Sequence, residues 1–319
     1  MCGQNPYDNQ PLCEIADMTH SATEVLAASL TPLTASKSVD NELFADHVRW
    51  LLDNGCDGVV IFGTTGEANS LTVCERQAAL ESLLKAGIAG ERLMVGTGCC
   101  ALPDTLALTR HALEHGVHRA LVLPPFYYKT VSEDGLYATF AELIEQIGDD
   151  ALRVYLYHFP RMAVVAFTPG LIDRLSEGFP KQIAGIKDST GDREHTEMLN
   201  GRFPSMKVYA GSEAFLLDYL RAGGIGCISA TTNLTARLAA AVRDCRDPAD
   251  ADQLQRQLSA VRAKLERYPL TGALKGLLAM HTGRPSWQNV RLPLSCLAEG
   301  RVADLVDGLS ALNYTIQYD

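Results

Sequence analysis

The sequence has no apolar run that approaches the roughly 18 residues of a membrane-spanning helix. Residues 1–24 also lack the basic start and the apolar core of a secretory leader, so we interpret them as an extension outside the fold. Nine cysteines are present, an odd number without a CxxC pair, which favours reduced thiols over a disulfide framework. These absences predict a cytoplasmic protein that does not contact a membrane.

Basic residues are few relative to acidic ones. The chain has 28 Lys and Arg residues against 38 Asp and Glu residues, and its formal net charge is −10. A protein that binds nucleic acid neutralises phosphates with an excess of positive charge. The composition therefore makes DNA and RNA poor candidates as partners.

Short apolar segments alternate with amphipathic helical segments along most of the chain. The predicted strands are 25–33, 58–63, 92–98, 119–125, 152–158, 183–187, 207–212 and 224–230. The predicted helices are 38–55, 74–88, 104–115, 134–147, 169–177, 192–200, 213–222, 234–268, 271–281 and 301–313. Eight strands, each followed by a helix, are typical of a closed parallel barrel.

This alternation predicts an α/β protein, a (β/α)₈ TIM barrel with additional C-terminal helices. The barrel is expected over residues 25–233, after the extension 1–24, and residues 234–319 are expected to form the last barrel helix and a C-terminal helical segment. An open, doubly wound sheet is the alternative that the pattern leaves.

Two short patterns suggest other chemistry and are set aside. The string "HALEH" (111–115) fits the HxxEH pattern of zinc proteases, but it precedes a predicted strand as an ordinary barrel helix, so His111, His115 and His118 are expected on a solvated or half-buried face. The string "GTGCCA" (96–101) fits a dinucleotide-binding pattern, but the acidic residue expected about 20 positions later is missing. No group of metal ligands is expected at the strand ends either. We therefore expect no metal and no cofactor.

Polar residues follow the predicted strands at their carboxyl ends. In a barrel these ends meet on one face, which is where catalytic groups lie. Each residue has a separate structural explanation as a turn, a core aromatic or a surface lysine, but their common position favours a shared site. The residues are Thr64 and Thr65 after strand two, Tyr127 after strand four, Tyr157 and Lys187 at the ends of strands five and six, and Ser212 and Glu213 after strand seven.

Lys187 is the candidate nucleophile of this site. On a strand it shares a face with Gly185, whose missing side chain is expected to leave the long amine room to move. A neutral lysine amine attacks a ketone and gives an iminium, which makes or breaks an adjacent C–C bond without a metal. Tyr157 can shuttle the protons. The hydroxyls of Thr64 and Thr65 beside backbone N–H groups would suit the carboxylate of a 2-oxo acid.

Four segments resemble the dihydrodipicolinate synthase and N-acetylneuraminate lyase superfamily of class I aldolases. They occur in the family's order: "GTTGE" (63–67), "YHFP" (157–160), "GIKDSTG" (185–191) and "GCISATTN" (226–233). The resemblance covers about residues 25–300. It implies that Lys187 forms the Schiff base and that Tyr157 is the general acid/base.

The same resemblance implies roles for other residues. Thr65 would hold the pyruvate carboxylate, and Thr64 would link Tyr157 to Tyr127 in a proton relay. In many members the tyrosine that matches Tyr127 reaches into the neighbouring subunit of a tight dimer, and two dimers pair, so a homodimer or homotetramer is implied. Gly211 and Ile228 would line the pyruvoyl pocket. Ser212, Glu213 and Arg161 are further candidates for substrate binding.

The segment "YHFPRMA" (157–163) departs from the pattern of the lysine-biosynthetic synthases. Those enzymes carry asparagine after the tyrosine and arginine two places after the proline, where this chain has His158 and Met162. Arg161 stands one place early, and in an extended segment its side chain would turn to the opposite side. We therefore expect weak condensation of pyruvate with aspartate semialdehyde.

The function expected from the sequence is that of a Schiff-base lyase or aldolase that releases or adds pyruvate. A deoxy-sugar acid or another hydroxy-oxo acid ranks first as its substrate, and dihydrodipicolinate synthesis ranks second. A barrel that binds oxo acids without turnover is the alternative from another class. The combination of an amine nucleophile, a phenol and two threonines argues against that alternative, because binding alone needs no amine beside a phenol.

Overall fold

A computed structural model of the chain describes residues 23–318. Eight parallel strands form a closed barrel in chain order. They are β1 (Glu24–Ala28), β2 (Gly58–Ile61), β3 (Leu93–Gly96), β4 (Arg119–Val122), β5 (Arg153–His158), β6 (Ile183–Asp188), β7 (Lys207–Ala210) and β8 (Gly226–Ser229). Because β1 pairs with both β2 and β8, the sheet has no edge and the open-sheet alternative is excluded. The predicted barrel is confirmed.

Helices surround the barrel and extend beyond its last strand. Those between and directly after the strands are α1 (Asn41–Asp53), α2 (Val73–Lys85), α3 (Leu102–Glu114), α4 (Glu133–Ile147), α5 (Pro160–Ala163), α6 (Pro169–Gly178), α7 (Arg193–Arg202), α8 (Leu216–Arg221) and α9 (Thr232–Asp244). The C-terminal helices are α10 (Pro248–Leu265), α11 (Leu270–Thr282) and α12 (Glu299–Ser310). No helix within residues 23–318 is long and apolar enough to cross a bilayer.

The first 22 residues of the predicted extension 1–24 lie outside the described residues. Glu24 already belongs to β1, one position before the predicted start of that strand. Its carboxylate accepts a hydrogen bond from the Tyr209 hydroxyl at 2.7 Å and pairs with Lys207, both on β7. Glu24 therefore joins β1 to β7 at the amino-terminal end of the barrel.

Local sequence signals set several helix boundaries. The Leu43 N–H donates to Asp40 Oδ1 at 3.2 Å, which is the cap predicted for the start of α1. Gly55, just after this helix, has a φ of +97°, a conformation that favours glycine. The single helix predicted over 234–268 is two helices, because Pro248 lacks the N–H needed inside a helix and instead begins α10.

The barrel interior is filled by buried side chains. Its apolar members are Leu26, Ala28, Val60, Met94, Leu121, Tyr155, Tyr157, Tyr209, Ile225 and Ile228. The expected reason for glycine at position 185 was wrong. A Cβ on Gly185 would lie 2.7 Å from the ring of Tyr155, so the glycine admits this aromatic ring and does not leave space for Lys187.

Candidate active site

A cavity of about 660 Å³ opens at the carboxyl ends of the strands. One side is formed by the strand ends and the loops after them. The other side is formed by the end of α10, the start of α11 and residues 293–295. Seven of the predicted site residues line it: Lys187, Tyr157, Thr64, Thr65, Gly211, Ser212 and Arg161. Tyr127, Ile228 and Glu213 are not in its lining. The volume is in the range of small-molecule sites.

Lys187 and Tyr157 stand opposite each other on neighbouring strands. The register of β5 and β6 pairs the two residues directly, and both are almost fully buried, with exposures of 5% and 4%. The Lys187 Nζ lies 4.5 Å from the centroid of the phenol ring, as in a cation–π contact. No carboxylate among residues 23–318 pairs with this nitrogen. The amine is thus enclosed but not held in an ion pair that would obstruct its attack on a carbonyl.

The hydroxyl of Tyr157 has a partner at the cavity wall. It lies 3.4 Å from Thr64 Oγ1, a long hydrogen bond of the kind that tightens when a substrate is bound. The third member of the proton relay implied by the resemblance does not join them. Tyr127 is 73% exposed, and its ring contacts Tyr128 edge-on at 5.3 Å. Within one chain, the hydroxyls of Tyr157 and Thr64 are therefore close together, and the hydroxyl of Tyr127 is not beside them.

The turn that carries Thr65 is fixed from the opposite side of the cavity. Glu67, two residues later, is 3% exposed and forms an ion pair with Lys275 of α11. The same carboxylate accepts a hydrogen bond from the Arg291 N–H at 2.9 Å. Burial lowers the pKa of Lys275, and the nearby Glu67 carboxylate opposes this effect. Sequence reasoning missed Lys275, although one lysine inside an otherwise apolar helix is a signal of a buried charge with a partner.

Comparison with known proteins agrees with this geometry. A sequence model described as the dihydrodipicolinate synthetase family matches residues 21–312. The chain belongs to this family. It is 39% identical over 284 residues to a protein of Chloroflexus aurantiacus named an uncharacterized DapA-like lyase, which covers 88% of this chain and 94% of the relative. The prediction of a class I, Schiff-base lyase that acts on a 2-oxo acid is confirmed at the level of the family.

Solved structures give the same result for the fold. The dihydrodipicolinate synthase of Agrobacterium tumefaciens is 34% identical, with a TM-score of 0.82, and the alignment covers 90% of this chain and 98% of that one. The prophage protein YagE of E. coli K12, described as a member of the dihydrodipicolinic acid synthase family in complex with pyruvate, is 28% identical with a TM-score of 0.81. That alignment covers 91% and 98% of the two chains.

Glu213, a predicted substrate-binding residue, is not part of the cavity lining. It is fully buried and forms an ion pair with Arg262 of α10 at 2.6 Å, while the hydroxyls of Ser229 and Thr231 donate to it. Burial alone would raise the pKa of Glu213, but the Arg262 charge and these hydroxyls outweigh it and leave the pKa below its ordinary value. The residue that reaches the cavity is Arg262, which sequence reasoning did not single out.

Ile228, Gly211 and Ser212 occupy different depths. Ile228 is fully buried in the barrel interior with Tyr155 and Tyr157, below the cavity lining. A Cβ on Gly211 would lie 2.7 Å from the Asp188 carbonyl, so only glycine lets the two strand ends approach this closely. Ser212 lines the cavity and accepts a hydrogen bond from the Ala214 N–H at 3.1 Å.

The segment that departs from the lysine-biosynthetic pattern is helical, which corrects our expectation for Arg161. Residues Pro160–Ala163 form the short helix α5, so neighbouring side chains are not turned to opposite sides as they would be in a strand. Arg161 and Met162 both line the cavity. No carboxylate among residues 23–318 pairs with the Arg161 guanidinium. A free positive charge therefore stands at the mouth.

A group of potential metal ligands does stand at the strand ends, contrary to our expectation. His158, Asp188 and His195 place ligand atoms within 4.8 Å of one another. They face away from the lumen, because His158 and Asp188 each follow a lumenal residue on their strands. The His158 Nδ1 accepts the Phe167 N–H at 3.1 Å, and Asp188 accepts from His195 at 3.0 Å. The group is an internally hydrogen-bonded network beside the cavity.

Proposed function

We propose that the chain is a pyruvate-dependent class I aldolase in which Lys187 is the Schiff-base nucleophile. The observation that carries this proposal is the enclosed Lys187 Nζ, 4.5 Å from the Tyr157 ring, at the base of a cavity that also contains hydroxyl groups. Such an arrangement serves no purpose in simple binding, because a carboxylate or a keto group can be bound without an amine beside a phenol.

The first steps join the substrate to the lysine. The Lys187 nitrogen attacks the C2 carbonyl carbon of the 2-oxo acid, and its proton passes to the new alkoxide to give a carbinolamine. Tyr157 donates a proton to the departing hydroxyl, which leaves as water and produces the iminium. The Thr64 hydroxyl, 3.4 Å from the phenol oxygen, is positioned to donate a hydrogen bond to the phenolate that remains, and this phenolate is the base of the next step.

The iminium then allows the C–C bond to break. Tyr157 takes the proton of the C4 hydroxyl, the C3–C4 electron pair moves toward the iminium nitrogen, and an aldehyde departs. The enamine that remains gains a proton at C3, and water releases pyruvate and the free amine. The same steps in reverse add pyruvate to an aldehyde, so no oxidant or metal is required by the balance of atoms and charge.

The carboxylate of the oxo acid would sit against the turn that follows β2. Thr65 lines the cavity there, and the Lys275–Glu67 ion pair holds the end of the same turn. A hydroxyl together with backbone N–H groups forms a small-anion site. Since Lys187 lines the same cavity, the keto carbon would then face its amine.

For the second substrate we propose a hydroxyaldehyde, so that the cleaved compound is a deoxy-sugar acid or another hydroxy-oxo acid. The cavity lining supports this choice because it includes the hydroxyl groups of Ser189, Ser212 and Thr271. Synthesis of 4-hydroxy-tetrahydrodipicolinate is the second candidate. The observation that favours it is the unpaired Arg161 guanidinium at the mouth, which could hold the carboxylate of aspartate semialdehyde.

We also propose that the active form is a homodimer or homotetramer in the cytoplasm. Within one chain, Tyr127 lies outside the cavity and is 73% exposed, which leaves it free to enter a neighbouring subunit. The relay would then be completed by the partner's copy of this residue.

Reductive trapping tests the central claim. Incubation with pyruvate and borohydride should add one reduced pyruvyl group per chain, and peptide mapping should place it on Lys187. Lys187→Ala should abolish the adduct. Lys207→Ala serves as a matched control, since this strand lysine lies at the opposite end of the barrel next to Glu24. Undiminished labelling of Lys187→Ala would disprove the assignment.

A further inference from the structure

Two histidines and a carboxylate meet on the outer helical layer, away from the cavity. Glu81 lies on α2, His111 lies in the last turn of α3, and His115 is the residue that ends this helix. Their ligand atoms all lie within 4.8 Å of one another. The His111 Nε2 is 2.8 Å from Glu81 Oε1, and the two imidazole rings are 4.3 Å apart between centroids.

The hydrogen bond of His115 fixes which nitrogen is free. Its Nδ1 lies 2.8 Å from the carbonyl oxygen of His111, so Nδ1 carries the proton and donates it. The Nε2 of a neutral ring then has an available lone pair. A histidine that binds a metal commonly donates its other ring N–H to a carbonyl in this way. The Nε2 of His115 is therefore the nitrogen that is available to bind a metal.

The group beside the cavity, His158, Asp188 and His195, lacks such an available nitrogen on His158. The His158 Nδ1 accepts a backbone N–H from Phe167, so the proton of the neutral ring is on Nε2. Neither nitrogen of His158 then offers a free lone pair. Asp188 Oδ2 is also occupied, because it accepts from Thr190, His195 and Thr196 at 3.0, 3.0 and 2.7 Å. That network is complete without an ion.

Glu81 and His111 supply the remaining donors. Glu81 Oε1 already accepts a hydrogen bond from His111 Nε2 at 2.8 Å, so the carboxylate oxygen and the ring nitrogen face each other. A cation between these groups would replace the proton that His111 Nε2 shares with Glu81, and the ring proton would move to Nδ1. Tetrahedral zinc with Zn–N bonds of 2.0–2.1 Å holds its ligands about 3.4 Å apart. The Glu81 side chain, 54% exposed, can make the small adjustment.

We propose that Glu81, His111 and His115 form a binding site for a borderline divalent cation of the zinc class. The ion would join α2 to α3 and would keep one position for water, because the chain supplies three ligands. Mixed imidazole and carboxylate donors suit Zn²⁺, Ni²⁺ and Co²⁺, and they do not suit Mg²⁺ or Ca²⁺, which prefer oxygen. This differs from our expectation for "HALEH", because the carboxylate ligand is Glu81 of another helix and not Glu114 of the string.

Calorimetric titration of the full-length protein with zinc chloride tests the site. The thiols are kept reduced with a phosphine, and bound metal is first removed by chelation and desalting. One zinc per chain should bind. His111→Ala or His115→Ala should weaken zinc binding by about 100-fold or more, because loss of a direct ligand costs more than loss of a residue that only hydrogen-bonds to a ligand. Glu81→Gln should weaken it by at least about tenfold. His118→Ala, an exposed histidine just beyond α3, is the matched control and should bind as the parent does.

Cobalt spectra separate this site from binding to cysteines. A Co²⁺ complex with these ligands should show visible d–d bands without the intense near-ultraviolet band of thiolate ligation, and the d–d bands should disappear in His111→Ala. The proposal is overturned if no zinc binds, if the affinity of His111→Ala equals that of the parent, or if the cobalt spectrum shows thiolate. Circular dichroism establishes that each variant is folded before its affinity is interpreted.

Discussion

Arg161 determines how the two candidate substrates can be distinguished. Its guanidinium lines the cavity mouth, unpaired among residues 23–318, and one of its nitrogens lies 3.6 Å from where a Cβ would stand on Gly191. A charged hydrogen bond to a substrate carboxylate stabilises binding by about 1.5–3 kcal/mol. Because Arg161 is exposed, solvent screening reduces this value, and we take about 1.4 kcal/mol, which corresponds to a tenfold effect.

We therefore expect Arg161→Ala to lower kcat/KM for aspartate semialdehyde about tenfold at saturating pyruvate. The value for glyceraldehyde, which has no carboxylate, should change less than about twofold. Met162→Ala is the matched control, because Met162 adjoins Arg161 on α5 and lines the same cavity without a charge. The effect of Arg161→Ala should also diminish as the ionic strength is raised, since exposed charges are screened.

Two results would contradict this reasoning. An equal loss for both aldehydes would mean that Arg161 acts on the structure of α5 and not on a substrate charge. No loss for either would mean that the guanidinium does not reach the bound aldehyde. Independently of the variant, a parent enzyme that prefers aspartate semialdehyde by tenfold or more would make the synthase the leading assignment.

Three further predictions concern the buried Glu213–Arg262 ion pair, the effect of metal chelation on turnover, and the exposed Tyr127. Glu213→Gln should lower the free energy of unfolding in urea by about 1.5–3 kcal/mol, because Arg262 loses its fully buried charged partner and keeps only the half-exposed Glu266. The pKa of Glu213 is lower in the folded chain than the value of about 4.3 in the unfolded chain. The Glu213 carboxylate therefore stabilises the fold above that pH, and this stabilisation is lost as the pH falls below it. Equal losses of stability in acid for the parent and the Glu213→Gln variant would refute this prediction. Chelation by EDTA should leave turnover unchanged, and a loss that zinc restores equally in the parent and in His111→Ala, which lacks the proposed outer zinc site, would exclude the Schiff-base mechanism. Light scattering should give at least a dimer, and Tyr127→Phe should lower kcat at unchanged mass; a fully active monomer would remove Tyr127 from the relay.

The order and type of the barrel elements could be predicted because they depend on local periodicity. Each predicted strand overlaps an observed one, and the cap at Asp40 and the turn at Gly55 were found from residue type alone. One error occurred where a short segment lacks a periodic signal. Helix α5 has four residues, Pro160–Ala163, which is too few for a helical pattern to be distinguished from an extended one.

Side-chain orientation within the site was predicted less well, because it depends on partners distant in sequence. Lys187 and Tyr157 could be placed in the lumen from strand alternation and from their positions at strand ends. Glu213 follows β7 just as Ser212 does, but Arg262, 49 residues away, draws it out of the cavity lining. Nothing in the string "AGSE" (210–213) contains that information, since the ion pair depends on how α10 packs against the barrel.

The C-terminal helices therefore contribute to the site through buried charges. Lys275 of α11 neutralises Glu67 at the end of the turn after β2, and Arg262 of α10 neutralises Glu213 after β7. A buried carboxylate that loses its partner costs about 3–5 kcal/mol, a large part of the stability of a typical domain. If residues from 234 onward were removed, both carboxylates would be left unpaired at the mouth of the barrel. We infer that the boundary predicted at 233 separates structural elements but not independently stable units, and that the loops which would hold the substrate depend on the C-terminal helices for their conformation.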